Sequence, residues 1–126
     1  MRKHGILNEQ LSAALSRLGH TDTFAIGDSG LPVPEGVEVI DLAVVFGVPR
    51  FADVAQAILD EVVVEGAVLA TETPDEITAL VPADCTDRDT VDHEDLKKRL
   101  EDCSFVVRTG ETTPYANLIF RSGVPF

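Results

Sequence analysis

A chain of 126 residues is the length of one ordinary domain, and we treat 1–126 as a single unit. At 44% hydrophobic and 25% charged residues it has the balance of a folded globular protein rather than a disordered one. Lys and Arg number 10 against 22 Asp and Glu, a formal charge of -12, which argues against nucleic-acid and membrane partners and favours an uncharged ligand.

Trp is absent, so the core has to come mainly from Val, Leu, Ile and Ala. No stretch approaches the roughly 20 apolar residues of a membrane span. The basic start Met1–Lys3 runs into Asn8, Glu9 and Gln10 before an apolar run can form, so no signal peptide is expected and the reading is cytoplasmic. Cys85 and Cys103 form no C-x-x-C pair and read as buried, reduced thiols.

In chain order, Asn8 is a good helix cap, and Leu7, Leu11, Ala14, Leu15 and Leu18 follow at helical spacing. This predicts a helix over 8–18, stopped by Gly19 and followed by the turn His20–Asp22. Thr23–Gly27 reads as a short buried strand ending at Asp28, Ser29 and Gly30. The two prolines of 31–36 mark a loop, and the β-branched run 37–45 a second strand. Gly47-Val48-Pro49 breaks it, with Pro49 suited to the first turn of a helix over 49–62 that buries Phe51, Val54, Ala55, Ile58, Leu59 and Val62.

Residues 67–70 predict a third buried strand. Within 72–91 the pattern is broken by Pro74, Pro82 and several Asp residues, and 77–81 fits either a strand or one helical turn. Asp92 with Asp95 three residues on looks like a capping-box variant opening a helix to about Leu100. Two strands, 104–109 and 116–121, follow, joined by a turn-rich loop over 110–115 that reads as a hairpin connection. The alternation of helix and strand predicts an α/β fold, a three-layer α/β/α arrangement with a largely parallel central sheet.

There is no G-x-G-x-x-G, P-loop, G-x-S-x-G or H-E-x-x-H motif, so dinucleotide and phosphoryl chemistry are poor candidates. The spacing of His4, His20 and His93 matches no zinc pattern, and no metal is expected. His4 reads as a surface residue. Two roles are open for His20. It either caps the helix C-terminus, where the dipole favours imidazolium, or forms an acid/base pair with Asp28 on one rim of the sheet. The segment Arg108–Asn117 concentrates hydroxyls, an amide, a phenol and both charge signs, an inventory suited to sugar recognition.

Several of these stretches together resemble the D-ribose pyranase family. They are Lys3-His4-Gly5-Ile6-Leu7-Asn8, Leu18-Gly19-His20-Thr21-Asp22, Asp28-Ser29-Gly30-Leu31-Pro32-Val33-Pro34, Arg108-Thr109-Gly110-Glu111-Thr112-Thr113-Pro114-Tyr115-Ala116-Asn117 and Gly123-Val124-Pro125-Phe126. The Gly-Leu-Pro-Val-Pro loop and Pro-Tyr-Ala-Asn match the ribose branch rather than the sister fucose mutarotases. Ser29 stands where the family normally has Ala. The resemblance implies that His20 is the proton donor and that Asp28, His93, Tyr115, Ala116 and Asn117 contact the sugar. It further implies a cytoplasmic ring-based oligomer, commonly a decamer, with active sites between neighbouring subunits. The activity implied is interconversion of the β-pyranose and β-furanose forms of D-ribose in ribose catabolism, an isomerase reaction. Positioned acid/base groups supply roughly a hundred- to ten-thousand-fold, enough for a ring opening that already runs in water, so no cofactor is implied. The alternatives are a mutarotase for fucose or another sugar, and a non-catalytic sugar-binding subunit.

Overall fold

A computed structural model describes residues 1–126. The elements are α1 (Glu9–Ser16), β1 (Thr23–Gly27), β2 (Glu38–Asp41), α2 (Phe51–Leu59), β3 (Val64–Ala70), α3 (Asp75–Thr78), β4 (Asp87–Val91), α4 (His93–Arg99) with a 3-10 turn over Leu100–Asp102, β5 (Phe105–Arg108) and β6 (Leu118–Ser122). One six-stranded sheet has the order β2-β5-β1-β6-β3-β4. β6 alone is antiparallel to its neighbours, β1 and β3, while the other pairings are parallel.

Period-two alternation sends each strand's side chains to opposite faces and so builds two cores. Phe24, Ile26, Phe105, Val107, Leu118 and Phe120 face α1, α2 and α3. Ala25, Val106 and Ile119 face α4 and its 3-10 extension, meeting Leu96, Leu100 and Cys103. The result is the expected three-layer α/β/α arrangement. Phe24 stacks on Phe105 with ring centroids 5.5 Å apart and meets Phe120 at 5.7 Å, which ties the central strands together. Cys85 and Cys103 are buried free thiols on opposite sides of the sheet. Burial pushes both thiols up, Cys103 to about 11, so neither is a thiolate at neutral pH.

Several expected boundaries shift. α1 begins as predicted, with the Asn8 side chain accepting from the Leu11 N–H, but it ends at Ser16, and Gly19 does not supply a left-handed stop. The second strand is only Glu38–Asp41, because Ala43–Gly47 leaves the sheet. Pro49 precedes α2 instead of entering it, and the position before the helix, Arg50, provides no side-chain cap. The third strand is longer than expected and starts at Val64. Within 72–91, Asp75–Thr78 is the single helical turn and Asp87–Val91 is an edge strand. That strand escapes a hydrophobicity reading because its residues, Asp-Arg-Asp-Thr-Val, are almost all exposed, as suits an edge that must not recruit another strand. Asp92 caps α4 through the Asp95 N–H as predicted.

The hairpin expectation for 104–121 is corrected. β5 and β6 do not pair, because β1 lies between them. The connecting segment therefore passes over the tip of β1.

Candidate active site

Because β6 runs backwards, its first residues lie at the end of the sheet where β1 and β5 finish. Asp28, Thr109, Tyr115 and Asn117 thus share one rim, the end of a parallel sheet where ligands ordinarily gather. Asn117 is 1% exposed and locked onto Asp28 twice. Its Oδ1 accepts the Asp28 N–H at 2.9 Å and its Nδ2 donates to Asp28 Oδ2 at 3.0 Å. The other carboxylate oxygen accepts the Gly30 N–H at 2.9 Å, an Asx turn that fixes the side chain over its own loop. Gly27 makes this approach possible. A Cβ there would lie 2.4 Å from Leu31 Cδ2 and 3.0 Å from Asn117 Oδ1. Both the N–H and the hydroxyl of buried Thr109 donate to the Gly27 carbonyl, so the tip of β1 is clamped from both neighbouring strands.

The loop after β5 is organised by Glu111, which is 6% exposed. Its Oε1 accepts the Phe51 N–H at 3.1 Å, and its Oε2 accepts from Arg50, from the Thr112 and Thr113 N–H groups and from the Thr113 hydroxyl. Burial alone would raise this carboxyl. The converging donors outweigh burial and hold it at about 2, so it is fully ionised. It also serves as the missing cap of α2, placing a negative charge at the helix N-terminus. The Glu111 carbonyl takes the Ser29 N–H at 3.0 Å, joining this loop to the one that carries Asp28.

Farther along the loop, Tyr115 has a φ of +62°, a left-handed conformation that bulky residues rarely occupy without a reason. It turns the chain so that Ala116 and Asn117 are buried while Tyr115 itself stays 42% exposed. Its ring meets His93 edge-on with centroids 5.0 Å apart. His93 is the first residue of α4, its backbone N–H bound to Glu72 Oε2. The Nδ1 atom of His93 and Nε of Arg108 are buried without a hydrogen-bond partner in the chain. Arg108 lines an open, largely apolar cavity of about 460 Å³ with Ser29, Asp41 and Val44–Phe46. Of the sequence-predicted site residues, Asp28, Tyr115, Ala116 and Asn117 are therefore tied into one rim, and His93 joins it through Tyr115.

His20 stands elsewhere. It precedes β1, whereas Asp28 follows it, and five strand residues at about 3.3 Å each put roughly 16 Å between the two ends. The expectation of His20 and Asp28 on one rim of the same chain is therefore not met. The helix-cap alternative also fails, since α1 ends three residues before Gly19 and the His20 ring instead bonds Glu65, Nε2 to Oε2 at 3.0 Å. The His20 side chain is 50% exposed. His4 is exposed near the N-terminus, beside α2.

From the sequence, Glu111 is one member of the polar segment 108–117 without a role of its own, and Glu65 is not singled out. An acidic residue in a turn-rich segment normally reads as solvated. Only Gly110, whose Cβ position falls 2.5 Å from the Val48 carbonyl oxygen, hints that the segment is packed rather than free. Glu65 sits in a run that otherwise reads as β-core, and nothing local signals its partner 45 residues earlier.

Comparison with known proteins extends over the whole chain. A D-ribose pyranase of Corynebacterium glutamicum (strain R) is 58% identical over 126 residues, covering all of both chains. The structure of Bacillus subtilis RbsD complexed with D-ribose is 41% identical, covers all of both chains and superposes with a TM-score of 0.91. A fucose mutarotase of Streptococcus pneumoniae, in complex with L-fucose, is 20% identical with a TM-score of 0.79 over 99% of this chain and all of its own, and shares the fold. The RbsD / FucU transport protein family model matches residues 1–125, and the chain belongs to that family.

Proposed function

We propose that this protein is a D-ribose pyranase, an isomerase that interconverts the β-pyranose and β-furanose forms of D-ribose. The observation that carries the reading is the Asp28–Asn117 pair, locked together on a rim shared with Tyr115 and His93, in a chain that aligns end to end with D-ribose pyranases. Groups on that rim, half-buried Asp28 and His93 with exposed Tyr115, supply what an uncharged pentose needs: a fixed carboxylate, a phenol, an imidazole and an aromatic face.

Opening the ring moves the anomeric O–H electron pair into the carbonyl bond as its proton leaves to water. The C1–O5 bond breaks, and O5 takes a proton from a general acid. Reclosure reverses the steps through O4. Imidazole suits the acid, with an ordinary pKa of about 6.5. We assign it to His20, contributed by a second copy of the chain, because within one chain β1 separates that ring from Asp28. Asp28 fixes a sugar hydroxyl, while Tyr115, Asn117 and His93 hold the open chain for the other hydroxyl to attack. The half-exposed ring of His20 and the uncovered phenol of Tyr115 support a shared site. The exposed apolar set Val44, Val45, Phe46 and Phe126 supports self-association. On this reading the working form is the ring-based homodecamer that the family resemblance implies, acting in the cytoplasm.

Saturation-transfer NMR on equilibrated D-ribose tests the assignment. The expected result is accelerated exchange between ring forms, larger than on L-fucose, and its loss in a folded His20→Ala variant. Unchanged exchange in that variant removes His20 from the reaction, and ribose binding without faster exchange would make the protein a sugar-binding subunit instead.

A further inference from the structure

The turn that carries His20 is anchored more firmly than a surface turn requires. Gly19 N–H donates to Asp22 Oδ2, Thr21 N–H to the Ser122 carbonyl, and Ser122 N–H to the Asp22 carbonyl, which fastens the turn to the end of β6. From β3, Glu65 presents one oxygen to His20 Nε2 at 3.0 Å. Its other oxygen accepts Arg121 Nε at 3.1 Å, and Arg121 in turn reaches Asp87 at 2.6 Å. Gly66 leaves room for this arrangement, since a Cβ there would lie 3.0 Å from the Arg121 guanidinium. Three strands thus hold one carboxylate against one imidazole nitrogen.

We propose that Glu65 is a positioning residue for His20: it accepts the Nε2–H and leaves Nδ1 as the atom that exchanges its proton with the sugar. The inference rests on the role of His20 proposed above. In the opening step Nδ1–H passes to O5 as the C1–O5 bond breaks, and the ring becomes neutral while Nε2–H stays on Glu65. In reclosure Nδ1 recovers a proton from the attacking O4 hydroxyl. A carboxylate that fixes the tautomer and rotation of an imidazole without touching substrate acts on turnover rather than on binding.

Glu65→Ala and the near-isosteric Glu65→Gln are compared with Glu65→Asp and His20→Ala by NMR exchange at graded ribose concentrations. Loss of the partner carboxylate is expected to lower kcat about tenfold to a hundredfold with KM within about twofold, and Asp is expected to restore part of it. Nitrogen-15 spectra of the neutral ring should show the Nε2–H tautomer in the wild type and a mixture in Glu65→Ala. If both the Ala and Gln variants keep kcat within about twofold while His20→Ala is inactive, or if the neutral wild-type ring carries its proton on Nδ1, Glu65 has no positioning role. Retained exchange in His20→Ala would remove His20 from the reaction and, with it, the premise on which the role of Glu65 rests.

Discussion

Asn117 holds Asp28 by two hydrogen bonds across 89 residues of sequence, one to its backbone and one to its carboxylate. The link depends on the segment after β5 crossing the end of β1, so that a residue from the start of β6 comes to rest on the residue that ends β1. Without that amide, a peptide N–H and a carboxylate oxygen would lose their partners at the rim of the site.

Replacing Asn117 by Ala should therefore cost about 1–3 kcal/mol of stability and weaken ribose binding roughly tenfold. Asn117→Asp should be worse for binding, because it sets a second carboxylate against Asp28 Oδ2. Thermal unfolding and KM from NMR exchange check both. An Ala variant with wild-type KM would mean that Asp28 needs no holding.

Glu111 makes stability pH-dependent in a defined window. Its carboxyl is depressed from an ordinary 4.5 to about 2, so its stabilisation is fully present above 4.5 and is lost as pH falls through about 2. A depression of this size corresponds to something on the order of 3 kcal/mol. Glu111→Gln should lose that increment at pH 7 and show a flatter decline in stability between pH 4.5 and 2 than the wild type. Denaturant midpoints across that range give the comparison, and parallel curves would contradict it.

Tyr115 offers a separation of backbone from side chain. Glycine accepts a φ of +62° freely, so Tyr115→Gly should stay within about 1 kcal/mol of wild-type stability while raising KM about tenfold through loss of the phenol. Tyr115→Ala keeps the backbone strain and loses the ring, and it should be less stable than the glycine variant. Equal melting temperatures for the two would show that the left-handed turn carries no strain.

The distance between His20 and Asp28 predicts complementation. His20→Ala and Asp28→Ala chains, each inactive alone, should recover roughly a quarter of wild-type exchange when co-assembled in equal amounts, since random mixing leaves that share of shared sites intact. Exchange staying at background in verified mixed oligomers would mean that the two side chains do not act together.

Much of this architecture is legible from the residues. The Asn8 and Asp92 caps, the apolar period of α2 and the short runs of β1 and β3 are local signals, and each yields its element to within a few positions. What escapes is non-local. The start of α2 depends on a carboxylate 60 residues away, and β4 is a strand by pairing with β3 rather than by hydrophobicity. At the site, Tyr115–Asn117 and Asp28 are readable as chemistry from their types, yet their meeting depends on strand order. For the same reason His20 reads as a neighbour of Asp28: the two are only eight positions apart in the chain, and five of the residues between them form the extended strand that carries them to opposite ends of the sheet.

The course of β1 has a consequence for how such a catalyst is switched on. Taking the functional reading above, each polypeptide emerges with the acid of one reaction centre at one tip of its middle strand and the cradle of another at the opposite tip. A solitary molecule is then chemically silent however well it is folded. Activity would rise with concentration more steeply than in proportion until rings are complete, so dilution alone would act as an inhibitor.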